Sequence, residues 1–334
     1  MGKRELERPV RTNASCFVSR LLPNVSTTPM SPFHVHAEND NITPIKHDVC
    51  SEKDSVDFAK AVNNWVEGKA TSSSSSNSAS TSKKRVLHAL INNAGVGIMG
   101  PIDWLTMKDF EFAMNVNLFG MVRTTKAFLS IFKRQAQQIA IGSNKMNKPR
   151  IINITSAAGM SWMPYGSPYF CSKHAAEAFS NVLRLEMRDF DIPVVTVNPS
   201  FHSTPLTTDM AQKVKTRIWD PLPTQTKEEY GEAFFQAGPT KMSKLPERVM
   251  WDAEMVTEKL TEAVELVRPP AKIMVGLDAQ FGVPILRFLP PWLADQLAPD
   301  FGVVPAMMKQ KQTATSGSKN QNKKKGSGIS RKED

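Results

Sequence analysis

Short apolar runs alternate along this chain with longer stretches in which apolar residues return every three or four positions. Residues 42–49 form one such run, and Val86-Leu87-His88-Ala89-Leu90-Ile91 forms another, continuous enough for a strand buried on both faces. Between them, 54–68 sets Val56, Phe58, Ala59, Val62, Trp65 and Val66 on or near one helical face. The same reading predicts a helix over 107–137, a strand over 150–155, a helix through Tyr169 to Asp189, and a strand over 192–197. A helical excursion over 207–237, a helix over 253–267 and a last strand over 272–276 complete it. Strands alternating with helices imply an α/β fold, a doubly wound parallel sheet with right-handed crossovers.

The flanks lack such periodicity. Residues 1–41 are rich in Pro, Ser, Thr and Asn, with one apolar patch near 16–22, and are expected to be irregular. The segment 71–84 contains a serine run without apolar anchors, so it reads as a flexible insertion in a domain spanning 42–308. The tail 309–334, with Lys323-Lys324-Lys325 among Gly, Ser, Asn and Gln, is expected to be disordered. It changes the electrostatic picture: of a formal net charge of +10, the tail supplies +6. The remainder is mildly basic, which argues against a nucleic-acid-binding core. Cys16, Cys50 and Cys171 are scattered and lack metal-ligand spacing, so neither a disulfide framework nor a metal site is implied, and an intracellular, reducing compartment fits. No run of about eighteen apolar residues occurs, and the first twenty residues lack the apolar core of a secretory signal.

The chemistry concentrates in Ser156, Tyr169 and Lys173. On a helix, Tyr169 and Lys173 share one face, so the ammonium lies beside the phenol. A neighbouring cation favours the phenolate and is expected to draw its pKa from about 10 toward neutrality, where a phenol exchanges protons with an alcohol or carbonyl. Ser156, leaving an apolar β-rich run, is placed to hydrogen-bond the same substrate oxygen. An isolated Tyr-x-x-x-Lys also describes many surface helices, so further motifs decide the matter.

Those motifs are Asn92-Asn93-Ala94-Gly95 at the end of a strand and Asn117 within Asn115-Val116-Asn117-Leu118-Phe119-Gly120. With Ser156, Tyr169 and Lys173 in order, the chain resembles the short-chain dehydrogenase/reductase family from Asp48 to Gly276. Trp219 to Phe235, and Gly276-Leu277-Asp278-Ala279-Gln280 followed by Leu289-Pro290, are similar to the animal retinol and hydroxysteroid dehydrogenases. The resemblance implies a Rossmann-like fold, NAD or NADP as cofactor, and a lipophilic alcohol or its carbonyl as substrate, with 205–250 as a substrate lid. It implies Tyr169 as acid/base, Lys173 as pKa modifier and ribose ligand, Ser156 as holder of the substrate oxygen, and Asn117 as anchor of a relay water. On the cofactor it implies Asn93, Ala94 and Gly95 on the adenosine side, Asp48 at the adenine, and Thr204 at the carboxamide. A tight turn at Gly95, a backbone-bonding amide at Asn117 and a helix-capping acid at Asp48 are the plainer alternatives. The segment 281–308, with Trp292, Leu293 and Leu297, fits docking on a bilayer surface, substrate-lid packing or core packing. Homo-oligomer formation is left open.

Two departures stand out. The family's Gly-rich turn, whose helix amino end cradles a diphosphate, has no counterpart, because no glycine occurs between Gly2 and Gly68. The first βαβ unit is therefore incomplete or replaced: either 14–22 serves as an improvised strand, or the sheet is split, or the sequence derives from an incomplete gene model, the preferred expectation. Ser200 stands where the family has glycine, which would strain a positive φ and shift the loop. A catalytically silent scaffold or ligand-binding protein is the alternative that the missing loop supports.

Overall fold

The computed structural model describes residues 16–20, 42–69, 85–141, 148–204, 210–237 and 251–297. The expected insertion 71–84 and tail 309–334, most of the segment 1–41, and part of the 205–250 lid lie outside them.

Four parallel strands form the main sheet, in the order β3-β4-β5-β6: Ala89–Asn92, Arg150–Ile154, Val194–Pro199 and Lys272–Val275. β1 (Cys16–Arg20) and β2 (Ile42–Lys46) pair in parallel as a separate two-stranded sheet. The expected doubly wound sheet is thus present but split, and an N-terminal segment within 14–22 does form a strand. Among the described residues β3 pairs only with β4, so it is an edge strand. Its expected burial on both faces fails for that reason: Ile91 is 42% exposed.

Helices cover both faces of the main sheet. α1 (Glu52–Val66), α3 (Met121–Ile141) and α4 (Ser167–Glu186) bring Phe58, Val62, Phe128, Phe132 and Leu183 onto Leu90 and Ile151. Successive strand residues point to opposite faces, so Ile152 packs instead with Val195, Val197 and Ala263 beneath α8 (Glu254–Glu265). The helix expected over 107–137 is interrupted: α2 (Met107–Met114) and α3 are joined by a π-helical turn, Asn115–Gly120. A Cβ at Gly120 would meet the Val49 side chain at 2.8 Å, so glycine there lets the turn approach the end of the β2 loop. Beyond β5 lie α5 (Met210–Val214), α6 (Thr224–Tyr230) and α7 (Glu232–Ala237). After β6 come α9 (Val283–Phe288) and α10 (Pro291–Leu297).

Candidate active site

The carboxyl ends of the main-sheet strands converge on α4, the location at which open α/β sheets bind ligands. Ser156 follows β4 and caps the turn Ala157–Gly159, its Oγ accepting from the Ala158 N–H at 3.1 Å and donating to the Pro199 carbonyl at 3.3 Å. A Cβ on Gly159 would stand 2.8 Å from the Lys173 carbonyl oxygen. Only glycine lets this turn lie directly on α4, and that contact brings Ser156 to Tyr169.

Tyr169 sits in the first turn of α4, and Lys173 follows one turn later, as the spacing predicts. Lys173 Nζ lies 5.9 Å from the Tyr169 ring centroid and donates to the Ile154 carbonyl at 3.2 Å. Burial raises the Tyr169 pKa, opposed by its hydrogen bond with the Ser156 side chain. The expected downward pull of the ammonium does not appear, because burial acts on Lys173 as well and lowers it to about 8.

Asn117, on the π turn, is bonded at both ends of its amide. Oδ1 accepts from the Val96 N–H at 2.8 Å, while Nδ2 donates to the Val96 carbonyl at 3.0 Å and to Ser172 Oγ at 2.8 Å. Ser172 in turn donates to the Tyr169 carbonyl at 2.8 Å. The side chain is a strut between the loop after β3 and the start of α4, with both amide hydrogens engaged. That loop holds Asn93, exposed, and Ala94 and Gly95, half-buried. A Cβ added at Gly95 would stand 3.5 Å from Asn117 Oδ1 and 3.6 Å from Lys173 Nζ, so Gly95 borders the cluster directly.

The remaining cofactor candidates, Asp48 and Thr204, sit in loops after β2 and β5. Asp48 Oδ1 accepts from the Cys50 N–H at 2.9 Å in the loop before α1, and the capping of that helix falls to Ser51. Thr204, half-buried, follows Ser203, whose N–H donates to the Trp251 carbonyl at 3.0 Å. Ser200 carries no left-handed strain, since Tyr165 and Asp191 are the non-glycine residues with positive φ among those described. The unusual backbone lies opposite, at Gly276 with φ 102°.

An aromatic wall adjoins Tyr169. Met99, Trp104, Trp219, Phe234 and Phe235 form a buried cluster against which Met163, Tyr165, Tyr169 and Phe170 pack. Trp219 and Phe235 stack at 4.7 Å, and Tyr230 ties this wall to the loop after β3 by donating to Asp103. Burial and the Asp103 carboxylate hold the Tyr230 phenol well above its ordinary range.

Sequence reading missed the polar links inside the sheet. Asn92 donates to Asn153 Oδ1 at 2.8 Å, and Asn153 to Ser180 Oγ at 2.9 Å, both fully internal. The available signal was an amide inside an apolar strand, as in Ile151-Ile152-Asn153-Ile154.

Residues 66–215 match the family model described as short chain dehydrogenase. Over that stretch, somewhat under half of its length, the chain is similar to the short-chain dehydrogenase/reductase family. It is 34% identical over 220 residues to retinol dehydrogenase 5 of Homo sapiens, covering 64% of each chain. It is 32% identical over 215 residues to 17-beta-hydroxysteroid dehydrogenase type 6 of Bos taurus, again covering 64% of each. The chain thus spans somewhat under two thirds of these relatives' length. A short chain dehydrogenase/reductase from Burkholderia phymatum, solved in complex with NAD, superposes with a TM-score of 0.54 at 18% identity, over 79% of this chain and 80% of that one. Likeness at that identity concerns the fold.

Proposed function

We propose that this protein interconverts a lipophilic alcohol of retinoid or steroid type and its carbonyl, using NAD or NADP, with Tyr169 as the acid/base. The observation that carries the reading is the convergence of Ser156, Tyr169, Lys173 and Asn117 at the strand ends, beside an aromatic wall. Relatives named as retinol and hydroxysteroid dehydrogenases support the substrate class.

The residues fit the nicotinamide-riboside half of the cofactor. Among the described residues Lys173 has one hydrogen-bond acceptor, the Ile154 carbonyl, for three N–H donors, and Gly95 offers a surface without a side chain beside it. The diphosphate half finds no glycine-rich helix start among the described residues. When bound, the nicotinamide supplies hydride acceptance or donation. Ser156 would hold the substrate oxygen, Tyr169 would remove or return its proton, and Lys173 would stabilise the phenolate in the transition state. The aromatic wall would exclude water from the reacting carbon. Asp48, Asn93, Ala94 and Thr204 are assigned to the cofactor on the family pattern alone.

The missing diphosphate cradle favours the second reading, a silent relative that binds lipophilic ligands. Isothermal titration with NAD, NADH, NADP and NADPH separates the two. Micromolar to submillimolar binding of one pair is expected, and no binding of any at millimolar concentration rejects the oxidoreductase. An exposed apolar stripe near the carboxyl end of the described chain extends the first reading to peripheral contact with a lipid surface.

A further inference from the structure

Three side chains meet at a carboxylate outside the cluster described above. Glu177 lies one turn beyond Lys173 on α4 and is 5% exposed. Its Oε2 accepts from Thr155 Oγ1 and from Asn198 Nδ2, each at 2.9 Å. Its Oε1 is ion-paired with Lys272 on β6. Asn198, on β5, also donates to Thr155 Oγ1 at 2.6 Å and to the Ser156 carbonyl at 3.3 Å. Thr155 and Ser156 are the residues by which the chain leaves β4. One carboxylate therefore ties three adjacent strand ends to the helix that carries Tyr169 and Lys173.

Burying an ion pair yields little net stability compared with apolar packing of the same volume, because desolvation offsets the attraction. Its consequence here is geometric. The backbone at Ser156 is fixed by Asn198 from below and by Gly159 against α4 from the side, where a Cβ would stand 3.4 Å from Glu177 Cβ. We propose that Glu177 is a positioning residue: held by Lys272, it fixes Thr155 and Asn198, and through them the turn that aims the Ser156 hydroxyl at Tyr169. This rests on the oxidoreductase reading for its kinetic consequence, though not for its structural one.

The test uses the full chain as wild type, Glu177→Gln, Lys272→Met and the double variant. Glu177→Gln turns its one amide oxygen toward the Lys272 ammonium and sets an N–H₂ against the Asn198 amide, and is expected to lower kcat about tenfold or more, with KM for the cofactor within about twofold, since small misplacements of reacting groups carry such losses. Amide exchange should quicken at Ala158 and Gly159, whose N–H groups bond Ser156 Oγ and the Ser156 carbonyl. Adding Lys272→Met removes the cation and frees the amide oxygen to accept from Thr155 and Asn198, so the double variant should regain most of kcat and the slow exchange. Unchanged kcat and exchange in Glu177→Gln overturn the proposal. So does a loss that the double variant fails to restore while melting temperature falls in parallel, which marks plain fold support. If Glu177→Gln does not fold, Asn198→Ala, which leaves the ion pair intact, is judged by the same two readouts. Should wild type turn over no alcohol with either cofactor, the oxidoreductase reading fails and amide exchange alone decides the positioning role.

Discussion

The Lys173 ammonium stands 5.9 Å from the centre of the Tyr169 ring and gives its hydrogen bond to the Ile154 carbonyl rather than to the phenol. Lys173 is buried and Tyr169 half-buried against the aromatic wall, and loss of water around each pushes it toward its neutral form: Tyr169 upward, Lys173 down to about 8. The linkage sign follows. Between about pH 8 and its ordinary value of 10.5, Lys173 binds more protons unfolded than folded, so stability rises with pH across that window. Tyr169, raised in the folded state, acts oppositely only above its ordinary value of 10. Urea unfolding of wild type and Lys173→Met should show the wild type gaining on the order of 2 kcal/mol relative to the variant from pH 7 to 10. A constant difference would mean that Lys173 is not buried as described.

Tyr169→Phe keeps the ring, with its edge contact to Phe170 at 6.0 Å and its place in the aromatic wall, and removes only the hydroxyl. Turnover is expected to fall by roughly 10² to 10⁴, the worth of a positioned proton donor, with the thermal transition little changed. In the oxidation direction, wild-type kcat should climb as pH rises above neutrality, because burial holds the phenol protonated there. Undiminished turnover in Tyr169→Phe would remove Tyr169 from the chemistry.

The order of strands and helices was legible because each apolar run or periodic stretch reports its own burial. The Tyr169–Lys173 relationship was legible because a helical turn sets it. Sheet edges were not: Val86 to Ile91 is apolar but for His88, yet β3 spans only Ala89–Asn92, lies at the edge of its sheet among the described residues, and leaves Ile91 exposed. The pKa reversal was also hidden, since spacing shows that two groups are near but not how dry both are. Glu177 and Lys272, ninety-five residues apart, meet only through the sheet order β4-β5-β6. Asn117 was a candidate from its motif, but its bonds to Val96 and Ser172 depend on a π turn that periodicity read as continuous helix.

Ser200 is accommodated by Gly276. A Cβ on Gly276 would fall 2.2 Å from Ser200 Oγ and 2.7 Å from Asp278 Oδ1, and φ there is 102°. Gly276→Ala is expected to destabilise the protein by about 2–3 kcal/mol, combining backbone strain with the clash. Adding Ser200→Gly should recover about 1 kcal/mol of that, leaving the strain of the backbone itself. Thermal or denaturant unfolding of the four proteins in the cycle reads the coupling. Additive losses would show that the two residues do not touch.

Leu277, Phe281, Ile285, Phe288 and Trp292 recur at intervals of four, four, three and four, and all are exposed, Phe288 at 90%. That stripe runs through the π turn Asp278–Gly282, α9 and α10, none of them long enough to cross a bilayer. A run of exposed apolar side chains on successive short surface helices suits the headgroup boundary of a membrane. Zwitterionic vesicles at high salt isolate it from the attraction of the basic tail to anionic lipid. Co-sedimentation of wild type is expected under those conditions, with Phe288→Ser combined with Trp292→Ser weakening the partition at least about tenfold, since each buried ring contributes roughly 1.5–3 kcal/mol. Wild type that stays in the supernatant, or a double variant that sediments equally, would leave the stripe without a lipid role.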